Sequence, residues 1–412
     1  MAKDNKLRIL VFKANDGGCA YYRAIMPFQK LQEMYPDEVE VIIDDNPLGI
    51  DTSTGAWQPD WDFRNMKWAD VILINNITNF GGNYAARVVG KAKEFGKFVQ
   101  MDTDDLLTSL YNEHRLFDVY KDKDLGNITK FIYSHSHLIS VTSSKFADRV
   151  VPFATGAVAV VKNAIDYDLP CWNTVRTFPK RPIRIGWAGG IHHDVDVKEF
   201  AGIPHLVNQK VGRENIIWDF YGRPPFQPGE NPKDWQQDVW RGYKRVLLAG
   251  FKGHKNWNIH FAMPPDAYGS MYSNMDIAIA PLQMNDFNDS KSDIKVAEAG
   301  RYKVPLVCSD VGCYNDTIKN GETGYLISPG ASKMEWVRTL AKIIKNPKHR
   351  VDMGKKLNAI TDLNFNINTI VHERLNLYEE SFKALDFDPR KCREFEEEIK
   401  RIDGKKEAAQ YE

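Results

Sequence analysis

Three features are missing from this sequence: long apolar runs, an excess of one charge and a paired set of cysteines. No apolar run approaches the roughly 20 residues that a membrane-spanning helix needs, and the opening MAKDNKLRIL does not have the pattern of a signal peptide. Basic and acidic residues number 55 each, so a polyanionic partner would have to meet a local patch. The five cysteines are scattered, which argues against a disulfide framework. We therefore expect a cytoplasmic protein without membrane insertion.

Several site patterns are missing as well. Cys308 and Cys313 are close in sequence but have no matching Cys or His pair, whereas a structural zinc site needs four ligands. The glycines after the first apolar run do not follow the G-x-G-x-x-G spacing of dinucleotide binding, which counts against a dehydrogenase. The close carboxylate pair of a retaining glycoside hydrolase cannot be assigned either.

What the 412 residues do contain is a regular alternation of short apolar runs with helical patterns. The runs are LRILVF, VEVII, VILINN, KFVQMD, HLISVT and AVAVVKN, then IRIGWAG, IIWDFYG, NIHFAMP, MDIAIAPL, VPLVCS and TGYLIS. This alternation is typical of a parallel α/β architecture, and the length predicts two similar doubly wound domains. We expect domains at residues 1–168 and 169–364, an amphipathic helix within 365–388 and a charged tail at 389–412.

The most informative segment covers residues 276–329. A strand, MDIAIAPL, is followed by a polar loop with Ser290, Lys291 and Ser292, and then by a helix that carries Glu298. A loop that leads from a parallel strand into a helix favours anion binding, because free amides and the helix dipole point at the ligand. A carboxylate about two turns further on can accept hydrogen bonds from a ribose diol. The segment therefore predicts a site for a nucleoside diphosphate.

The run EAGRYKVPLV at residues 298–307 and the NGETGYL at 320–326 resemble the donor-binding segment of retaining GT-B glycosyltransferases, especially family 4. The resemblance implies two facing Rossmann-like domains, an interdomain cleft and a C-terminal helix that crosses back to the first domain. It also implies that Glu298 holds the donor ribose. Two positions depart from the family pattern: Ser290 replaces a second glutamate, and Lys303 replaces a small residue.

Two glycines, Gly17 and Gly18, follow the first strand at the place where family 4 enzymes have a Gly-Gly near the donor's phosphates and sugar. The alternative is a tight turn that needs a positive φ. Tyr22 and Arg23 begin the next helix and are expected on the acceptor side of the cleft. The run GCAYYR with Pro27 also resembles the opening of glycosyltransferases carried by tailed phages, which implies the cytoplasm of a bacterial host.

The carboxylates Asp102 and Asp104 follow the strand KFVQMD, so they are expected at its carboxyl end. Asp102 stands where family 4 usually has a histidine that touches the transferred sugar. Contact with sugar or acceptor, a capping role, and a divalent metal on the diphosphate remain open. GT-B enzymes generally need no metal, so none is expected, and no cofactor is required beyond the nucleotide sugar.

The second domain opens with Gly189 and Gly190, at the position of the family's phosphate-side glycine loop. The arginine and lysine that usually follow are not in register. Lys291 is our replacement for neutralising the diphosphate, with Arg223 as second choice. His193 is expected to donate to a phosphate or to the sugar, although a lone histidine is often structural.

A basic stretch, WRGYKRVLLAGFKGHKNW, contains Lys244 and Arg245 between aromatic residues. Lysine and arginine neutralise phosphates while aromatics stack on bases, so we expect contact with a nucleic-acid acceptor. The alternative is the solvated face of a helix.

These observations predict a retaining glycosyltransferase that takes its sugar from a nucleoside-diphosphate sugar, with uridine diphosphate as the expected nucleotide. Catalysis would be electrostatic, with Asp102, Lys291 and Glu298 as the central residues. The expected acceptor is a 5-hydroxymethylated base in double-stranded phage DNA. One alternative is transfer to a cell-surface polysaccharide or lipid-linked saccharide. Another is an inactive GT-B module that binds nucleic acid or a protein partner.

Overall fold

The computed structural model describes residues 6–51, 54, 56, 58, 60–76, 82–175, 182–190, 192–223, 235–251, 253 and 255–393. The chain forms two compact units: the first comprises Met1–Leu110, Asp118–Asn163 and Ile367–Glu412, and the second comprises Tyr111–Phe117 and Ala164–Asn366. The second unit therefore begins at residue 164 rather than 169 and includes Tyr111–Phe117. That short segment joins it because the rings of Tyr111 and His114 pack against Phe287.

The first unit is built on a six-stranded parallel sheet with the order β2-β1-β3-β4-β5-β6. Its strands are β1 (Leu7–Phe12), β2 (Val39–Asp44), β3 (Val71–Asn75), β4 (Phe98–Asp102), β5 (Leu138–Val141) and β6 (Ala157–Val160). Every residue of β3, β4 and β5 is buried. Strands covered on both faces read as continuous apolar runs, which is why the sequence pattern located them.

The second unit contains another six-stranded parallel sheet, with the order β12-β11-β10-β7-β8-β9. Its strands are β7 (Ile183–Ala188), β8 (Ile216–Arg223), β9 (Trp257–Phe261), β10 (Ile277–Ala280), β11 (Leu306–Ser309) and β12 (Gly324–Ile327). All twelve predicted strands are confirmed. The strand order reverses between β7 and β10, and open α/β sheets bind ligands beyond the carboxyl ends of the strands at such a switch point.

The described residues contain sixteen α-helices, of which the last three follow the final strand. They are α1 (Gly18–Ala20), α2 (Met26–Met34), α3 (Arg64–Trp68), α4 (Gly82–Glu94), α5 (Phe117–Asp122), α6 (Leu125–His135), α7 (Ser144–Val150), α8 (Asp194–Glu199), α9 (Ile203–Val211), α10 (Trp235–Leu247), α11 (Asp286–Asp289), α12 (Ile294–Arg301), α13 (Tyr314–Thr317), α14 (Lys333–Lys345), α15 (Pro347–Asn364) and α16 (Ile367–Ala384). A π-helical segment, Tyr21–Ile25, joins α1 to α2. Among these described helices, none combines the length and the apolar character that crossing a bilayer requires.

Helix α16 belongs to the first unit, as the sequence predicted for a helix within residues 365–388. The Tyr378 hydroxyl donates a hydrogen bond to Gln100 of β4, and Arg374 pairs with Asp102 at the end of the same strand. The start of the predicted charged tail is also attached, because Arg393 forms two hydrogen bonds to the buried carboxylate of Asp70. The rest of that tail, residues 394–412, lies outside the described residues.

Candidate functional site

Asp102 and Arg23 form a buried ion pair in the first unit. The guanidinium donates from Nε to Oδ1 and from Nη2 to Oδ2, each over 2.8 Å, and both residues are 0% exposed. Arg374 adds a second cation 3.2 Å from Oδ2, and the Ser140 hydroxyl donates to the same oxygen over 2.6 Å. Burial raises the pKa of Asp102, but the two guanidiniums lower it further, so the carboxyl is held below its usual range.

This arrangement corrects two expectations from the sequence. Both oxygens of Asp102 are occupied by partners within the first unit, so the geometry gives Asp102 and Arg23 a structural role instead of contact with sugar or acceptor. Tyr22, the predicted acceptor residue beside Arg23, is also largely buried, with 9% of its surface exposed. The sequence could not show this, because Arg23 and Asp102 are 79 residues apart.

Asp104 lies in a different environment. Its carboxylate accepts a hydrogen bond from Asn76 over 3.3 Å, and it forms a cluster with Cys19 and Asp105 in which the potential ligand atoms lie within 4.8 Å of one another. Burial, followed by the charge of Asp105, raises the pKa of Asp104 to about 6. Because Asp102 faces two arginines instead, Asp102 and Asp104 do not form the joint metal site that the sequence left open.

The pKa of Asp104 predicts a pH-dependent stability. Its native value of about 6 lies above the ordinary 3.8, so between these values the native state holds a proton that the unfolded chain has released. Stability should therefore fall as the pH rises from about 4 to about 6. Asp104→Asn should abolish this loss and stabilise the protein at neutral pH, as measured by urea unfolding across that range. The exposed Asp148→Asn serves as control, and equal pH profiles for wild type and Asp104→Asn would contradict the assignment.

The glycine pair after β1 does not form the tight turn considered above. Gly17 is extended, with φ −77° and ψ 176°, and Gly18 is not among the residues with positive φ. A Cβ at Gly18 would meet no atom of the described residues within 4 Å. The fold of this unit therefore does not itself require glycine at position 18. Space for a ligand would explain why a glycine is present there.

In the second unit, Glu298 on α12 is 1% exposed and has two neighbours. The Tyr272 hydroxyl donates to Oε2 over 2.7 Å, and Lys295 Nζ donates to the same atom over 2.9 Å. Both bonds end on Oε2, so among the described residues Oε1 keeps its lone pairs for another donor.

Lys295 is a site residue that the sequence analysis missed. Its ammonium bridges Glu298 and the hydroxyl of Tyr268, which lies 2.7 Å away. Burial would lower the pKa of Lys295, but the charge of Glu298 and the contacts with Tyr268 outweigh it and hold the pKa above its usual range. The spacing of three residues between Lys295 and Glu298 on one helix was the available signal.

The loop before α12 holds the predicted Ser290, Lys291 and Ser292. Ser290 is buried, and its hydroxyl donates to the Asp286 carbonyl over 2.9 Å, so its side chain stabilises the loop. Lys291 is partly buried, with its ammonium 4.5 Å from the centre of the Phe287 ring. Ser292 is also partly buried. Lys291 is therefore the cation that this loop offers.

His193 follows β7 and is held by a buried carboxylate. Its Nδ1 lies 2.8 Å from Asp196 Oδ2, while the other oxygen of Asp196 accepts from the Gln283 amide and from Asn288 Nδ2, each over 2.8 Å. Burial raises the pKa of Asp196, but the hydrogen bond and charge of His193 lower it further, and the net shift is downward. Asp196 thereby joins the loops after β7 and β10 and directs His193. The sequence did not identify Asp196, because Asn288 lies 92 residues away.

The remaining predicted donor residues also follow strands of this sheet. Gly222, near the end of β8, has a φ of +121°, and a Cβ there would lie 1.9 Å from the Gly189 carbonyl oxygen, so only glycine allows β8 and the loop after β7 to approach this closely. The carbonyl of Gly190 accepts from the Tyr243 hydroxyl over 3.2 Å. Arg223, the last residue of β8, lies over the Phe261 ring. We call this end of the second sheet, where its strands terminate, the carboxyl edge.

The segment 111–117 adds residues to the second unit that the sequence did not place there. Arg115 pairs with Asp194 over 3.1 Å, directly beside His193. The ring of His114 stacks on His192 with 5.9 Å between centroids and contacts Phe287 at 5.0 Å. No local pattern predicts these contacts, because the segment lies in the first half of the chain.

Lys244 and Arg245 lie elsewhere in the second unit. They line a surface cavity together with Trp257, the first residue of β9. The strands are parallel, so this residue marks the edge of the sheet opposite to the carboxyl edge. The two basic residues therefore lie away from the carboxyl edge, and their predicted contact with an acceptor stays a prediction.

Comparison with known proteins agrees with this fold. Residues 246–358 match the model of the family described as glycosyl transferases group 1. No curated protein sequence matches this chain significantly.

Three solved structures illustrate the structural similarity. Sucrose-phosphate synthase from Thermosynechococcus elongatus has a TM-score of 0.64 at 14% identity, covering 92% of this chain and 100% of that chain. HepE from Anabaena, in complex with UDP and glucose, has a TM-score of 0.59 at 13% identity, covering 91% and 100%. A glycosyltransferase from Rickettsia africae has a TM-score of 0.54 at 14% identity, covering 92% and 99%. The predicted GT-B fold is confirmed, and residues 246–358 are similar to group 1 glycosyl transferases.

Proposed function

We propose that this protein transfers a sugar from a nucleoside-diphosphate sugar to an acceptor hydroxyl, with the donor bound at the carboxyl edge of the second sheet. The observation that carries the proposal is the environment of Glu298. This carboxylate is 1% exposed, yet its two hydrogen bonds both end on one oxygen. Oε1 takes part in neither of these bonds, and the diol of a ribose supplies two donors that a carboxylate can accept. The residue also lies within the segment that matches the group 1 family.

The diphosphate would lie beside Lys291 and His193. Asp196 accepts from Nδ1 of His193, which leaves Nε2 for a ligand. Lys291 belongs to the loop after β10, and Asp196 joins that loop to the residues after β7. Arg223 ends the neighbouring strand β8. Two strands of the switch point thus bring a lysine and a histidine to one place, where they would neutralise a diphosphate.

Catalysis would be electrostatic. Cationic and amide donors that hold the leaving diphosphate stabilise its charge while the glycosidic bond breaks. We propose retention of configuration: the acceptor hydroxyl attacks from the face that the diphosphate leaves, and a phosphate oxygen takes its proton. This follows from the resemblance of residues 298–307 to retaining enzymes, and no protein nucleophile is required.

Uridine diphosphate is the nucleotide to test first. HepE, one of the proteins with the same fold, binds UDP and glucose. The proposed acceptor is a 5-hydroxymethylated base in DNA, which the protein would have to extrude from the duplex. The support for this acceptor is the cavity lined by Lys244, Arg245 and Trp257, which joins cations to an aromatic ring.

The test is transfer from a panel of radiolabelled nucleotide sugars to duplex DNA that contains 5-hydroxymethylcytosine, with unmodified DNA as the control. Label in the modified DNA alone is the expected result, and NMR of the product would give the anomeric configuration. Slow hydrolysis of one nucleotide sugar without labelled DNA would support a glycosyltransferase whose acceptor is a saccharide or lipid instead of DNA. Neither transfer nor binding of any nucleotide sugar would contradict the proposed function.

A further inference from the structure

The cavity near the start of β9 is a built feature of the second unit, with a volume of about 490 Å³. Small-molecule sites typically occupy about 300–1,000 Å³. One face of α10 forms part of the cavity wall, because Lys244 and Arg245 follow Arg241 at three and four residues on this helix. The lining comprises Arg241, Lys244, Arg245, Leu248, Phe251, Gly253, Lys255 and Trp257. We refer to it as the basic cavity.

The charge of the basic cavity has one sign. Four of its lining residues are basic and none of the described lining residues is acidic, although the whole chain is neutral. Arg241 pairs with Asp238 one turn earlier on α10. Lys244, Arg245 and Lys255 are exposed, so their cations are accessible to a ligand. A site with this charge selects an anion.

Its aromatic residues narrow the choice of ligand. Trp257 and Phe251 are partly buried, and the ammonium of Lys244 lies 5.1 Å from the centre of the Trp257 ring. A membrane surface is usually met by apolar side chains that protrude, whereas these rings lie in a recess. An acidic peptide would use the cations but not the rings. A nucleic-acid strand uses both, because phosphates pair with lysine and arginine while bases stack on aromatics.

We propose that the basic cavity binds a strand of nucleic acid, with phosphates on Lys244, Arg245 and Lys255 and a base against Trp257. This inference deepens the proposed function. It rests on that function only where it identifies the bound strand as the acceptor. The cavity lies toward the amino end of β9, away from the carboxyl edge. It would therefore anchor a single-stranded part of the polymer, such as an overhang or an opened end of the duplex, remote from the reacting base.

The experiment measures binding of a fluorescently labelled single strand of about 12 nucleotides by anisotropy over a range of salt concentrations. The test variant is Lys244→Glu with Arg245→Glu. The control is Lys345→Glu with Lys348→Glu, which makes the same charge change at exposed positions of the same unit. Binding of the nucleotide-sugar donor, measured in parallel, checks that each variant is folded.

We expect the test variant to bind at least about tenfold more weakly than wild type and the control to remain within about twofold. The slope of log affinity against log salt should fall by about 1.4 in the test variant, since two phosphate contacts are lost. An abasic strand should bind wild type about tenfold more weakly than the intact strand, because stacking is lost.

Three results would overturn the proposal. They are equal affinity of test variant and wild type, equal binding of abasic and intact strands, and tighter binding to vesicles of anionic phospholipid than to the oligonucleotide. Failure here leaves donor binding and transfer unaffected. Conversely, a protein that binds the oligonucleotide but no nucleotide sugar would contradict the proposed function and still support nucleic-acid binding by the basic cavity.

Discussion

Replacing Glu298 with glutamine is expected to lower the affinity for the nucleotide-sugar donor by about 10- to 100-fold. Hydrogen bonds to a charged group contribute about 1.5–3 kcal/mol, and the substitution removes the charge while keeping the shape. Isothermal titration calorimetry with UDP and UDP-sugars would measure the change. The oxygen at issue is Oε1, since Oε2 is occupied by Tyr272 and Lys295.

The control for this prediction is Glu322→Gln, an exposed glutamate within the same matched segment. It should bind the donor like wild type. Because Glu298→Gln also deprives Lys295 of its anionic partner, the titration must be performed well below the unfolding temperature of the variant. Unchanged donor affinity in a folded Glu298→Gln protein would remove Glu298 from the donor site.

Asparagine at position 102 is expected to lower the free energy of unfolding by about 3–5 kcal/mol. The substitution leaves the guanidiniums of Arg23 and Arg374 in the interior without their counter-charge, and breaking a buried ion pair by removing one partner has about this cost. The two arginines are 0% and 2% exposed. Urea unfolding followed by circular dichroism would measure the loss.

The exposed Asp118→Asn makes the same chemical change in the same unit and should alter stability by less than about 0.5 kcal/mol. The pH dependence gives a second readout. Since the pKa of Asp102 is lowered in the native state, its contribution is complete above the ordinary carboxyl range and is lost as the pH falls through the native pKa. A fully stable Asp102→Asn protein would show that the network is not required for folding.

The agreement between prediction and structure is greatest where the signal is local. The twelve apolar runs became the twelve strands, most clearly at the centre of each sheet, where both faces are covered and β3, β4, β5, β10 and β11 are buried along their whole length. Glu298 was located by a short motif on one helix, and the structure places that residue on α12 beside Tyr272 and Lys295.

The prediction was least accurate for residues whose role depends on distant partners. Asp102 and Arg23 were expected to face a ligand, because Asp102 ends a strand and Arg23 was predicted at the beginning of a helix, both near the predicted cleft. They pair with each other instead, and α16 contributes Arg374 from 272 residues away. Ser290 likewise faces the carbonyl of Asp286, and Lys244 and Arg245 lie at the opposite edge of their sheet from the predicted reaction centre.

The sequence by itself determined the class of fold, the order of strands and helices along the chain, and the helix that carries Glu298. These depend on periodicity, turn residues and motifs that act over a few positions. The tertiary structure alone decided which carboxylates are neutralised inside the protein and which retain an oxygen for a ligand. That choice depends on which strands are neighbours in the sheet and which side chains they bring within hydrogen-bond distance, and sequence spacing contains no measure of either.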